Sequence, residues 1–264
     1  MTTTLAVERP ADGVVLLRLN RPDRLNAINE VLLVELTETC DAVAVDRTIR
    51  AVVLTGAGRG FCSGIDLRDF GPSMLDAADP AIDKLAFQER MASLPQALRS
   101  LPQPVVAAVN GPAVGGGLAL CLASDVRICA ASASFGNAAI AIGLSGAEMG
   151  MSYFLPRIVG LSVAADWMLT GRTVSADEAH RRGLVSELVD DDRLVERALE
   201  LAGQIAAHSP LAVQMTKRAL QVNTDAADLP AALELENRNQ IITHATDEAA
   251  AARARWAEQR QQTT

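Results

Sequence analysis

The sequence predicts an α/β body that gives way to a helical C-terminal region, and three observations carry this reading. Short β-branched runs alternate with stretches of helical spacing as far as residue 189, glycine-containing loops follow two of those runs, and from Asp190 onward only helical periodicity remains. The chain has 264 residues, 49 % of them hydrophobic, so it holds enough apolar material for a large core and disorder is not expected.

The elements follow in order. "GVVLLRLN" (13–20) and "IRAVVLTG" (49–56) are β-branched runs closed by turn residues, and between them Leu32, Leu36, Cys40 and Val43 fall on one helical face. That is a βαβ-like rhythm. "PVVAAVNG" (104–111) and "DVRICA" (125–130) read as two more short buried strands, with "VGGGLALCLAS" as the helix between them. The uncharged stretch 105–124 approaches membrane-spanning length, but a proline, an asparagine and four glycines interrupt it. A buried strand, turn and helix is the expected arrangement there, rather than a membrane span. "SADEAHRRG" carries the capping-box pair Ser175 and Glu178 and stops at Gly183; "LVSELV" (184–189) is a last short strand. Four amphipathic helices are expected after it. The division drawn from this pattern is an α/β core over 1–200 and a helical, oligomer-forming region over 201–264.

Composition excludes several functions. The formal net charge is −8, with no basic stripe and no interleaved aromatics, so neither nucleic acid nor an anionic membrane is an expected partner. Cys40, Cys62, Cys121 and Cys129 lack CxxC spacing and His180, His208 and His244 are scattered, so no metal site or disulfide framework is expected. The start, "MTTTLAVERPADG", has neither the basic nor the apolar segment of a secretory signal, and a reduced, cytoplasmic protein is the expectation.

Two loops carry chemistry. In "AVVLTGAGRGFCSGIDL" a strand enters a loop where Gly64 lets the backbone turn and frees the Ile65 N–H. In "NGPAVGGGLAL" Gly115, Gly116 and Gly117 open a helix, whose first N–H groups and positive dipole end favour negative charge. Two such donors converging make an oxyanion hole; glycines that only permit close packing are the other reading of the same spacing. GxGxxG is absent, which argues against dinucleotide binding. Glu148 is the one carboxylate in the apolar run "FGNAAIAIGLSGAEMGMSYFLPR" (135–157). Its alternatives are an acid/base in an apolar pocket, a solvated loop residue, or a partner for the helix that follows. Cys62 reads as packing, Asp125 as a strand anchor, and Arg181 and Arg182 as a solvated helix face.

"RPDRLNAIN" (21–29), "VVLTGAGRGFCSGIDL" (52–67), "VNGPAVGGGLALCLASDVRICA" (109–130) and "LTGRTVSADEAHRRGLVSELV" (169–189) together resemble the enoyl-CoA hydratase/isomerase, or crotonase, superfamily. The resemblance implies a spiral of ββα units with a C-terminal helical region, a homotrimer or dimer of trimers, and an acyl-CoA thioester as ligand in fatty acid metabolism. Coenzyme A would enter with the substrate and no other cofactor is implied. The oxyanion donors would be the N–H groups of Ile65 and Gly116, and the CoA channel would involve Arg24, Leu25, Ala27, Ser63, Asp66, Leu67, Gly115 and Gly117. Hydratases of this kind carry two glutamates where this chain has Ala119 and Ala139, and a methyl group neither orients water nor moves a proton. Members that shift double bonds place an acid just before the "LPR" helix, as Glu148 stands here. An isomerase using Glu148 is therefore expected, with a hydrolase- or dehalogenase-like enzyme and a non-catalytic acyl-CoA-binding homologue as alternatives.

Overall fold

The computed structural model describes residues 3–70 and 81–262, with side chains as far as 258. In chain order the strands are β1 (Leu5–Ala11), β2 (Val14–Leu19), β3 (Ala51–Gly56), β4 (Val105–Val109), β5 (Pro112–Val114), β6 (Val126–Ala130), β7 (Ser134–Gly136), β8 (Val174–Ser175) and β9 (Glu187–Val189). The helices are α1 (Glu30–Val45), α2 (Ala81–Ser100), α3 (Gly116–Ala123), α4 (Met151–Val159), α5 (Leu161–Thr170), α6 (Ala176–Arg181), α7 (Leu194–Ala206), α8 (Pro210–Asn223), α9 (Leu229–His244) and α10 (Asp247–Gln262).

One sheet has the order β1-β2-β3-β4-β6-β9, antiparallel only at β1/β2, and a smaller one has the order β5-β7-β8. Successive turns of the chain lay one strand in each sheet: β4 then β5, β6 then β7. The turn that leaves β3 does the same with a single residue, Cys62, bridged in parallel to Ala113 of β5. This is the spiral of ββα units that the resemblance implies.

The central strands are apolar on both faces because both are covered. Val15, Leu17, Val52, Leu54, Val105 and Ala107 pack towards α1, whose Leu32, Leu36, Cys40 and Val43 are all buried, and towards Met91, Leu94 and Leu98 of α2. Their alternates Val14, Leu16, Ala51, Val53, Val106 and Ala108 pack on Leu194, Ala198, Ala202 and Ala206 of α7. One residue in four along α7, mostly alanine, lets its backbone lie close to the sheet. Helix α7 thus belongs whole to the body, so a division at residue 200 would cut through it. The remaining helices begin with α8.

Helix α8 is anchored by one buried group. Lys217 is 6 % exposed, and its Nζ donates to Gln103 O at 2.9 Å and to Asp125 Oδ2 at 2.7 Å. The same carboxylate oxygen accepts the Val105 N–H at 2.8 Å, as a strand anchor should. Removing one partner of such a pair costs about 3–5 kcal/mol. The stretch 105–124 divides into β4, β5 and α3, and among the described residues no helix is long and apolar enough to cross a membrane.

The capping box is half formed. Ser175 Oγ accepts the Glu178 N–H at 3.2 Å, but the Glu178 carboxylate is drawn instead to Arg172. The last strand is shorter than expected, covering 187–189 of 184–189.

Candidate active site

Strands β3 and β4 are hydrogen-bonded neighbours, and the loops leaving their C-terminal ends meet. Ile28 donates its N–H to Gly64 O at 2.7 Å and accepts the Asp66 N–H at 2.8 Å. A parallel bridge of this form uses the groups on either side of Ile65, so the Ile65 N–H points away from Ile28. Gly64 takes φ +94 to make this turn, a region open to glycine.

The second donor comes from the start of α3. The first bond into the helix runs from Ala119 N to Gly115 O at 3.0 Å, leaving the Gly116 N–H without an intrahelical acceptor, and Gly115 has no side chain to cap it. A Cβ placed on Gly64 would stand 3.4 Å from Gly116 N, so the two loops touch. The three consecutive glycines have different reasons. At Gly117 a Cβ would lie 2.0 Å from Cys62 O, which is close packing. A Cβ on Gly115, φ +52, would find Glu148 Oε1 at 3.7 Å and Gly64 Cα at 3.9 Å, so the carboxylate approaches the turn that opens α3.

Glu148 is half-buried, and it precedes two left-handed residues, Met149 (φ +48) and Gly150 (φ +84). Its carbonyl accepts the Met151 N–H at 2.8 Å, while the cap position of α4 is Gly150 and no side chain caps that helix. Capping is therefore not the role of the carboxylate. Burial pushes the Glu148 carboxyl above its ordinary value, and a hydrogen bond from the Gln88 side chain partly opposes the rise. Met149 turns inward, its sulfur 3.2 Å from where a Gly116 Cβ would be. A left-handed non-glycine residue is strained, and such residues gather at functional sites. The loop before Glu148 is held by buried Asn137, whose Nδ2 donates to Gly146 O at 2.6 Å and whose Oδ1 accepts the Ala139 N–H at 3.1 Å.

Segment 24–28 runs beside 63–66. Ser63 donates its N–H to Leu25 O at 3.0 Å and its Oγ to Arg24 O at 3.4 Å, and Leu25 is left-handed. Arg24 is half-buried, Ala27 is buried and Leu67 is exposed. The Asp66 carboxylate is occupied within the protein: Arg21 Nη1 donates to Oδ2 at 2.9 Å and the Arg68 N–H to Oδ1 at 3.1 Å. Cys62 is fully buried, its thiol pushed up to about 12 by that burial, which suits packing. Ala119 and Ala139 are both buried and offer no polar side-chain atom. Arg181 pairs with Asp177 on the exposed face of α6.

The geometry brings the loops that carry Ile65 and Gly116 into contact and Glu148 close to Gly115, and it adds residues that motif reading passed over: Gln88, Asn137 and Arg21. Two free N–H donors on touching loops, with a carboxylate raised by burial close to Gly115, can stabilise a developing oxyanion and move a proton at the adjacent carbon.

The family model described as enoyl-CoA hydratase/isomerase matches residues 9–263. The chain belongs to this family. As a whole, this enoyl-CoA hydratase/isomerase family member is 44 % identical to the "Probable enoyl-CoA hydratase EchA12" of Mycobacterium tuberculosis, over 94 % of this chain and 89 % of that protein. It is 39 % identical to the 1,2-epoxyphenylacetyl-CoA isomerase of Escherichia coli, over 87 % of this chain and 86 % of that one. The crystal structure of a monofunctional enoyl-CoA isomerase from M. smegmatis superposes with a TM-score of 0.74 at 42 % identity, covering 88 % of this chain and 99 % of that one. This family member therefore processes acyl-CoA thioesters on the crotonase fold.

Proposed function

We propose that this chain is an enoyl-CoA isomerase that shifts a double bond between C3 and C2 of an acyl-CoA thioester. The Glu148 carboxylate removes a C2 proton from the 3-enoyl thioester. The electron pair moves onto the thioester oxygen, which the Ile65 and Gly116 N–H groups hold. The resulting dienolate is reprotonated at C4 by the same carboxyl group, so the step is neutral in protons and electrons. One carboxylate suffices, and no cofactor is required beyond the coenzyme A carried by the substrate. The observation that carries this reading is that Glu148 Oε1 lies close to Gly115 while Ala119 and Ala139 present only methyl groups. Under the same reading Arg24, Leu25, Ala27, Ser63, Leu67 and Gly117 shape the CoA channel, with Asp66 bracing it, and copies of the chain associate through the C-terminal helices in the cytoplasm as trimers or dimers of trimers.

The test is incubation with 3-enoyl- and 2-enoyl-CoA of several chain lengths. Interconversion lost in Glu148→Gln supports the reading, and interconversion that survives unchanged removes Glu148 from the chemistry. An acyl adduct on Glu148, seen by mass spectrometry, would favour a hydrolase- or dehalogenase-like reaction instead. Tight thioester binding without turnover would mark a non-catalytic binding protein.

A further inference from the structure

Glu148 begins a tight turn whose composition does not match its shape. Met149 takes φ +48 and Gly150 φ +84, and the Met151 N–H donates to Glu148 O at 2.8 Å, the arrangement of a type I′ turn. Both central positions of such a turn favour glycine, asparagine or aspartate, because a Cβ crowds the backbone in the left-handed region. Gly150 meets that demand, and a Cβ there would also stand 2.8 Å from Phe154 Cε2. Met149 does not meet it. Its long side chain is 3 % exposed instead of turned out into solvent. Backbone strain of this kind persists only where the surroundings over-determine it.

The surroundings are the start of α3. A Cβ built on Gly116 would lie 3.2 Å from Met149 Sδ, 3.4 Å from Met149 Cε and 3.0 Å from Ile28 Cδ1. Met149 and Ile28 together therefore fill the open side of Gly116. Ile28 in turn bonds Gly64 and Asp66, on either side of Ile65. Glu148, next to Met149 in the chain, brings Oε1 to 3.7 Å from where a Gly115 Cβ would be. Consecutive residues of one turn thus meet consecutive residues of the other, 148 against 115 and 149 against 116.

We propose that Met149 is a positioning residue that sets the register of Glu148 against the turn carrying the Gly116 N–H. Its thioether, seated on Gly116, holds the strained turn in place, and that turn fixes where the Glu148 side chain leaves the backbone. An unbranched thioether adapts to the irregular gap between two main chains. Glycine or asparagine would suit the turn better but would leave Gly116 without this contact. The second central position is already fixed as glycine by Phe154, so residue 149 is the one place in the turn where a side chain can reach α3. Register matters because a misplacement of about 1 Å at a reacting group can cost about 10²-fold in rate.

The proposal rests on Glu148 as the base, and the experiment separates the two. Hydrogen–deuterium exchange at C2 of butyryl-CoA gives kcat and KM for the wild type, Met149→Leu, Met149→Gly, Met149→Asn and Glu148→Gln, with thermal melts on the same preparations. Met149→Leu conserves the volume on Gly116 and should keep kcat near the wild-type value. Met149→Gly and Met149→Asn both accept the left-handed backbone but withdraw the contact, and kcat should fall by about tenfold or more. KM should stay in place, since segments 24–28 and 63–67 are unaltered. Asparagine fills part of the vacated space, so Met149→Asn gives the same reading should Met149→Gly fold poorly. Wild-type kcat in the folded Gly or Asn variant, an equal loss in Met149→Leu, or a loss carried by KM alone overturns the positioning role; Glu148 stands as the base if Glu148→Gln is silent. Exchange retained in Glu148→Gln overturns the base, and the positioning role falls with it.

Discussion

Arg21 Nη1 lies 2.9 Å from Asp66 Oδ2, and both side chains are largely withdrawn from solvent, at 13 % and 5 % exposure. The same guanidinium bonds Ala27 O and Asp69 Oδ2. One side chain thereby ties segment 21–28 to the loop that presents Ile65.

Replacing Arg21 by Met is expected to cost about 3–5 kcal/mol at neutral pH, because a buried carboxylate loses its partner. Burial works to raise the Asp66 carboxyl, but the Arg21 and backbone donors outweigh it, and the group titrates below its ordinary value. In the wild type its contribution to stability is present above the unfolded pKa and is lost as pH falls through the lower, folded value. In the variant only burial and weaker donors remain. The gap in Tm between the two proteins should therefore shrink below about pH 4. Thermal melts across pH check this, and a gap that stays constant would exclude the ion pair as its source.

Glu148 leads to the opposite displacement. Its carboxyl is raised, so the acidic limb of kcat/KM for isomerisation should lie above about 4.3, the ordinary glutamate value. Glu148→Gln should lower kcat by about 10²–10⁴-fold with little change in Tm. Stopped-flow assays and melts on the same preparations decide it.

The consecutive glycines should separate in their effects. Gly117→Ala drives a Cβ to 2.0 Å from Cys62 O, backbone against backbone, and should yield unfolded or insoluble protein. Gly115→Ala meets only ordinary contacts and a left-handed φ, at a cost of about 1–2 kcal/mol. It should fold and lose activity, since the added methyl stands 3.7 Å from Glu148 Oε1. Circular dichroism beside the exchange assay distinguishes the two.

Helices α8 and α9 leave Leu220, Val222, Leu229 and Ile241 more than half exposed. Apolar side chains so placed suit contact with further copies of the chain. Leu220→Glu with Ile241→Glu should shift the sedimentation coefficient towards the monomer. An unchanged value would place the contact elsewhere.

Much of this was legible in the sequence. Val14 to Leu19, Ala51 to Gly56 and Val105 to Val109 read as strands because both faces are buried and the apolar runs are continuous; Leu32, Leu36, Cys40 and Val43 read as a helix by spacing. Strand β1 was not legible, since five of its seven residues lie open on the edge and carry no alternation that a core would impose. The two- and three-residue strands of the second sheet are too short for any periodicity. Helix α2 is obscured by charge along its outer face and by Pro95. Gly64, Gly115 and Glu148 could be found as motif positions. Gln88 could not, because a glutamine in a helix signals nothing until its inward neighbours are known. The faint signal was polarity at the position preceding Met91, Pro95 and Leu98.

The proposed oxyanion donors, the Ile65 and Gly116 N–H groups, both belong to the main chain. A side-chain donor disappears with one nucleotide change, whereas a main-chain donor survives every substitution that preserves its turn. Divergence in such a protein therefore acts on the side chains around a fixed pair of amides. Positions 119, 139 and 148 lie on separate segments, α3, the turn after β7, and the approach to α4, so an acid can be lost from one and kept at another without moving the donors. New reactions can be inherited one carboxylate at a time.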